Sequence, residues 1–245
     1  MSFLKNHPFA VEAHFKSTIV LTYALPKEQL ESLLPACLTL DTHNNKWAFV
    51  AVALVQTENL RPKGFPKFMG NDFFLVGYRI FVRYTTNNGK RLRGLYILKS
   101  ETDKQKMALF GNIFTHYNYS TIDIKLSETD GLINISSNKS DLVIDLKKNE
   151  DANLPKGSIF EDWKTARRFA GPLPFTFTYN KLKNKVTIIE GVRQNWIPKP
   201  VEVIKAEIGF MKQTKFKGAV LSNAFINENI PYYWKKGRTE IWNGN

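Results

Sequence analysis

The sequence predicts an α+β protein, mostly antiparallel sheet with a few short helices, and three observations carry that prediction. Stretches rich in β-branched and aromatic residues recur along nearly the whole chain, punctuated by Gly, Asn, Asp and Pro. Helical spacing of apolar residues is confined to three short stretches. No internal repeat, low-complexity linker or composition shift marks a boundary, so residues 1–245 read as a single domain.

Taken in order, His14 to Leu25 reads as a strand, and Pro26 then opens PKEQLESLLP, where Leu30, Leu33 and Leu34 recur at helical spacing until Pro35. Leu38 to Asp41, a His43-Asn44-Asn45 turn and Trp47 to Gln56 are expected to form a hairpin. Its second strand is apolar on both faces and therefore central. Glu58 to Asn71, with two Pro and two Gly, reads as a loop or lid. Phe74–Thr85 and Arg91–Ser100 make a hairpin through Asn88-Gly89, a dipeptide suited to a type I′ turn. A two-residue loop there would set Phe81 across from Tyr96, Arg79 from Leu98 and Arg83 from Gly94. One face would then hold Ile80, Val82, Leu95 and Ile97. The other would hold Gly77, Arg79, Phe81, Arg83, Gly94 and Tyr96, a mixture suited to a cavity wall.

Glu101 to His116 is expected to be a helix with Met107, Phe110, Ile113 and Phe114 on one side and Thr102 or Asp103 as N-cap. Tyr119–Leu126, Leu132–Ser136 (after an Asp130-Gly131 turn) and Asp141–Leu146 read as strands. Ser158 and Glu161 have capping-box spacing for a helix to Ala170 that Gly171-Pro172 would end. Phe175–Tyr179 and Lys185–Glu190 read as a further hairpin. The last fifty residues read as strands or short helical turns, closing on the aromatic basic stretch Tyr232 to Trp242.

Composition narrows the function classes. With 35 Lys+Arg against 22 Asp+Glu the formal charge is +13, yet 43% of residues are hydrophobic, so disorder is excluded. The surplus is mainly lysine scattered among Asn and Thr, without the basic stripe or recognition helix that nucleic-acid binding requires, so a nucleic-acid partner is not expected. The one cysteine, Cys37, rules out an internal disulfide or a multi-cysteine metal site and reads as a small core residue in a reducing, cytoplasmic setting. The N-terminal stretch lacks the apolar core of a signal peptide. The longest apolar run, Ala48 to Val55, is far short of a membrane span, so no membrane insertion is expected.

No strong catalytic motif is present. Phosphate-binding glycine loops, HExxH and GxSxG are absent, and His7, His14, His43 and His116 lack ligand spacing, so neither metal nor cofactor is expected. Arg79 stands out because it interrupts the apolar run LVGYRIFV. A buried guanidinium needs an anion, either a ligand or a structural acid such as Glu101. His116 could act as a base or simply complement a helix C-terminus. Tyr96, Tyr117 and Tyr119 could present hydroxyls to a pocket or pack as ordinary aromatics.

The order of LVGYRIFVRY, RGLYILKSETD and GNIFTHYNYSTIDI resembles a large bacterial family of uncharacterised proteins similar in fold to acetoacetate decarboxylase. LTYALPKEQLESLLP followed by FVAVAL adds to the likeness, which covers Val20 to Ile124 and, weakly, FEDWKTARR and PVEV. The resemblance implies a barrel-like sheet around an apolar cavity, where the decarboxylases use a lysine of depressed pKa to form a Schiff base. The G-R-E and P-K-K motifs of those enzymes would fall on Gly111-Asn112-Ile113 and Asn118-Tyr119-Ser120. Only Gly111 matches, and Lys99 lies on the face opposite Arg79.

These readings together lead to the expectation of a protein that binds a small organic acid without Schiff-base chemistry, through Arg79, Phe81, Tyr96, His116, Tyr117 and Tyr119. Two rivals stand beside it: a lyase, hydratase or isomerase on small oxo-acids or ketones, and a basic nucleic-acid module. The oligomeric state stays open, a homo-oligomer included.

Overall fold

The computed structural model describes residues 4–170 and 173–244, so the expected stop at Gly171-Pro172 lies outside the described residues. The long strand β1 (Val11–Pro26) leads into the short helix α1 (Lys27–Glu31), the two-residue strand β2 (Thr39–Leu40) and the long β3 (Trp47–Pro62). After a loop comes the hairpin β4 (Asn71–Thr85) and β5 (Arg91–Thr102), followed by helix α2 (Gln105–Phe114) and β6 (Tyr119–Thr121). Strands β7 (Lys125–Thr129), β8 (Leu132–Ser137) and β9 (Leu142–Lys148) precede helix α3 (Trp163–Ala170). Then come β10 (Phe175–Asn180), β11 (Lys185–Arg193), β12 (Lys199–Ile208), β13 (Val220–Trp234) and β14 (Arg238–Ile241).

Pairing runs β11–β10–β5–β4–β3–β1–β13, and β13 pairs back onto β11 through Gly191↔Trp234, Val192↔Tyr233 and Arg193↔Tyr232. Seven strands thus close into a ring, antiparallel throughout except for the β10–β5 pair. Strands β12, β9, β8 and β7 extend from β13 as a second antiparallel layer. Among the described residues no helix is long and apolar enough to cross a membrane.

Strand alternation splits the apolar residues into two cores. Side chains pointing out of the ring, such as Val52, Leu54, Val76, Tyr78 and Ile80, pack with Ile133, Ile135, Ile144 and Leu146 of the second layer. Inward-pointing residues of the same strands are smaller on β3, where Ala51 and Ala53 alternate with Val50, Val52 and Leu54, and that difference leaves space inside. One end of the ring is filled by Phe49, Phe81, Phe160 and Phe169, with Phe49 stacked on Phe160 at 5.6 Å.

Several local expectations are corrected. The β4–β5 loop has three residues, because Thr86 and Lys90 bond to each other across it and Thr86 Oγ1 also accepts from the Lys90 amide. Only Gly89 has positive φ, which fits a type I turn with a glycine bulge rather than type I′. Arg79 therefore faces Ile97, Phe81 faces Leu95 and Tyr96 faces Ile80, one residue away from the expected register. The slip turns the β5 side chains from Arg91 to Ile97 to the other face, and a bulge opposite Tyr78 and Arg79 restores the expected register from Lys99 onward. Strand β2 pairs with β4 rather than β3, β3 runs on to Pro62, and residues Glu101 and Thr102 belong to β5. Helix α3 starts at Trp163 because Asp162 Oδ1 accepts from the Thr165 amide, whereas Ser158 bonds to Ser222 and Phe160. The C-terminal stretch serves sheet and interior alike: Tyr232 and Trp234 end β13 and line the space inside the ring, β14 pairs with β11, and Trp242 packs edge-on to Tyr179.

Candidate functional site: a ring cavity with two unpaired guanidiniums

The ring encloses a cavity of about 470 Å³ whose wall is mostly apolar. Its inner side on β1 and β3 carries Thr18, Val20, Ala51, Ala53, Val55 and Thr57. The charged and phenolic residues come from the remaining strands, Arg79 standing directly beside Ala51 on the neighbouring β4. Arg79 comes from β4, Thr176 from β10, Arg193 from β11 and Tyr232 from β13, while Tyr117 and Tyr119 arrive from the segment after α2.

Glycines shape this cluster. Gly77 precedes Arg79 by two residues and so shares its face, and a Cβ there would lie 2.8 Å from Arg79 Nε. Gly191 stands two before Arg193, and a Cβ on it would overlap the Tyr232 hydroxyl. Gly111 lies under the Tyr119 ring, which a Cβ would likewise overlap. Asn112 then holds the Tyr119 backbone from both sides: its Nδ2 donates to the Tyr119 carbonyl and its Oδ1 accepts from the Tyr119 amide, each at 2.9 Å. Asn118, in the left-handed region at φ 52°, bends the chain so that Tyr117 and Tyr119 both reach the cavity.

The electrostatics are unusual for a protein interior. The wall contains three arginines, no lysine and no carboxylate among the described residues. Arg61 is compensated by Glu12 at 2.7 Å. Arg79 and Arg193 have no acidic partner among the described residues, and the Nε of each is buried without a hydrogen bond. Arg193 donates through Nη2 to the Leu173 carbonyl at 3.0 Å and lies over the Trp196 ring at 4.3 Å. Burial pushes the pKa of both arginines down, opposed at Arg79 by Tyr232, Tyr119 and Tyr117, and Arg79 itself lowers that of Arg193. Burial pushes the tyrosine hydroxyls up, Tyr119 to about 12, with Arg79 working against the rise. All three are therefore neutral donors near neutrality. Glu101, the acid the sequence offered to Arg79, lies outside the ring in the grip of Tyr78, Ser140 and Lys99.

Of the residues singled out from sequence, the cavity wall includes Arg79, Phe81, Tyr117 and Tyr119. Tyr96 packs in the outer core, because of the register slip. His116 lies between two wall residues, Thr115 and Tyr117, without being part of the wall. Sequence reasoning missed Arg193, Tyr232, Thr176 and His7. The signal for Arg193 was a repeated Gly-x-Arg, Gly77-Tyr78-Arg79 and Gly191-Val192-Arg193. His7 lines the cavity with Nδ1 unpartnered, and desolvation pushes its pKa down, so the imidazole is neutral. Among the described residues no group of His, Cys, Asp and Glu is placed to hold a metal ion.

Solved structures with this architecture define its class. An acetoacetate decarboxylase from Legionella pneumophila subsp. pneumophila str. Philadelphia 1 is similar at TM-score 0.60 and 13% identity, over 95% of this chain and 88% of that one. An acetoacetate decarboxylase-like enzyme from Sphingomonas wittichii RW1 is similar at TM-score 0.58 and 11% identity, over 97% and 94%. The enduracididine biosynthesis enzyme MppR, complexed with pyruvate, is similar at TM-score 0.54 and 9% identity, over 95% and 90%. The protein thus has the acetoacetate-decarboxylase-like fold. Residues 12–236 match the family DUF2071, described as an uncharacterised conserved protein, and the chain belongs to that family. A comparison with curated proteins finds no match.

Proposed function

We propose that the protein binds an organic anion inside its ring, with guanidinium and tyrosine groups in place of a Schiff-base amine. The observation that supports this is the pair Arg79 and Arg193, both turned to a cavity in which no carboxylate lies among the described residues. An unpaired buried charge costs several kcal/mol, on the order of the effective penalty per ion, and a fold keeps such groups where a ligand completes them. A carboxylate seated between them would accept two or more charge-assisted bonds and a tyrosine hydroxyl donor. At the position where the resemblance puts the amine stands Tyr119, and Asn112, in place of the motif arginine, serves to hold it. We place this binding in a single domain of residues 1–245 in the cytoplasm, a reading supported by the free, buried Cys37, whose thiol burial pushes up to about 11.

The test is thermal unfolding against a panel of keto, hydroxy and acyl acids, with Arg79→Leu beside the wild type. A ligand that binds only the folded state at about a hundred times its Kd adds roughly 2.7 kcal/mol of stability. A stabilising acid whose effect vanishes in the variant is the expected result, and a panel without any Arg79-dependent shift would overturn the reading. A catalytic version, a lyase, hydratase or isomerase, is favoured by one observation, the buried His7 imidazole whose Nδ1 has no hydrogen-bond partner, in the same cavity lining as Tyr119. Turnover lost in Tyr119→Phe, with binding and folding kept, would support it.

A further inference from the structure

The two guanidiniums account for one side of the cavity only. Beside Arg79 the β1 and β3 wall is built of Val20, Ala51, Ala53 and Val55, with Ala51 paired to Arg79 itself. Toward the end of the ring where β1 starts and β5 ends, Phe73 and Leu75 of β4 and Met107 of α2 continue the apolar surface. That surface reaches the exterior. Phe9 and Phe110 line the cavity and yet are 38% and 41% exposed, with Phe114 between them at 5.1 Å from Phe9 and 6.3 Å from Phe110. The three rings frame an opening between the segment before β1 and helix α2. The opposite end is blocked by the Phe49, Phe160 and Phe169 stack.

A short acid held by Arg79 and Arg193 would leave most of about 470 Å³ to water against apolar walls. Cavities of this size and composition suit a drug-sized molecule held by few polar groups. Resting on the proposed anion site, we infer that the ligand is an amphipathic carboxylic acid. Its carboxylate sits on Arg79, Arg193 and the tyrosines, and its hydrocarbon body runs along Leu75, Phe73 and Met107 toward the Phe9–Phe110–Phe114 opening. Specificity then has two independent parts, charge at the head and apolar area in the body.

Calorimetric titration of the full chain with acetate, butyrate, hexanoate, octanoate and decanoate separates them, with octanol and methyl octanoate as uncharged counterparts. Affinity is expected to rise about fourfold for each methylene that enters the cavity. Octanoate is expected to bind more tightly than octanol in the wild type, with the margin narrowed in Arg79→Met and lost when Arg193→Met is added. Leu75→Trp, which fills the body compartment, should weaken octanoate and spare butyrate. If short acids bind with dependence on Arg79 and lengthening adds nothing, the amphipathic inference falls while the anion site stands. If octanol binds as well as octanoate to the wild type, the anion site falls as well. The comparison of ligands on unaltered protein keeps both outcomes readable even where a variant fails to fold.

Discussion

The two faces of β4 meet buried charge under opposite conditions. On the outer face, the Tyr78 hydroxyl donates to Glu101 at 2.9 Å, Ser140 donates to the same oxygen at 2.6 Å, and Lys99 closes the set on the other oxygen. At the filled end of the ring, Asp41 is likewise held by Arg83 and Arg93, each at 2.6 Å. Buried acids in this molecule are thus paired with care. On the inner face, two residues past Gly77, Arg79 has tyrosines around it and no acid among the described residues. The difference teaches that the missing counter-charge is local to the cavity and not a general looseness of the fold. Of nine buried side-chain polar atoms without a protein partner among the described residues, five belong to wall residues: His7, Thr18, Thr57, Arg79 and Arg193.

The comparison breaks most directly at Glu101. Glu101→Ala strips three partners of their acceptor, and chemical denaturation should show a loss of about 3 to 5 kcal/mol, the range for breaking a buried charge cluster. Arg79→Met is expected to go the other way. Removing an uncompensated buried cation should leave the ligand-free protein unchanged or more stable by about 1 to 4 kcal/mol while abolishing anion binding. A large destabilisation there would mean that Arg79 has a structural partner and the two faces are alike. Gly111→Ala sharpens the contrast within the site, since the added methyl overlaps the Tyr119 ring. Overpacking of this kind costs about 1 to 3 kcal/mol, and ligand affinity should fall with stability, whereas Asn112→Ala should displace Tyr119 and change affinity more than stability. The smallest effect concerns pH. Burial holds His7 and His116 below their ordinary 6.5, so the unfolded chain takes up protons that the folded chain resists. Their contribution to stability is present above pH 6.5 and is lost as pH falls below it, and His7→Gln should flatten the stability profile over that window.

How much of this was legible in the sequence depends on range. Arg79 was visible because a charge inside LVGYRIFV has few explanations, and Phe81 follows it by strand alternation. Tyr96 was misplaced by a single loop residue. Asn-Asn-Gly suits a two-residue or a three-residue loop, and the choice is made by the Thr86 hydroxyl bonding across the turn to Lys90, a contact that no propensity encodes. The capping box at Ser158 failed for a similar reason, since Asp162 offers a competing cap four residues later. Arg193 and Tyr232 were invisible as site residues because their place follows from β13 returning to β11, a pairing between strands that are not consecutive along the chain. Gly111 and Asn112 could be read from the resemblance only as a motif partly lost. The structure gives both a task, clearance and clamp, around a tyrosine.

The closure of the ring also orders events in time. Strands β1, β3, β4 and β5 are joined in succession, whereas the β1–β13 and β5–β10 pairings bring together distant parts of the chain, and the three-pair seam of β11 with β13 completes the ring. Non-local pairings form late, because the loop they close must first be ordered. Arg79 therefore belongs to the early meander and Arg193 to the last-formed edge, so the binding centre comes into being only as the seam zips. A molecule bridging the two guanidiniums would act as a latch across that seam, and amide hydrogen exchange at residues 191–193 and 232–234 should slow when it binds while exchange in β3 stays unchanged.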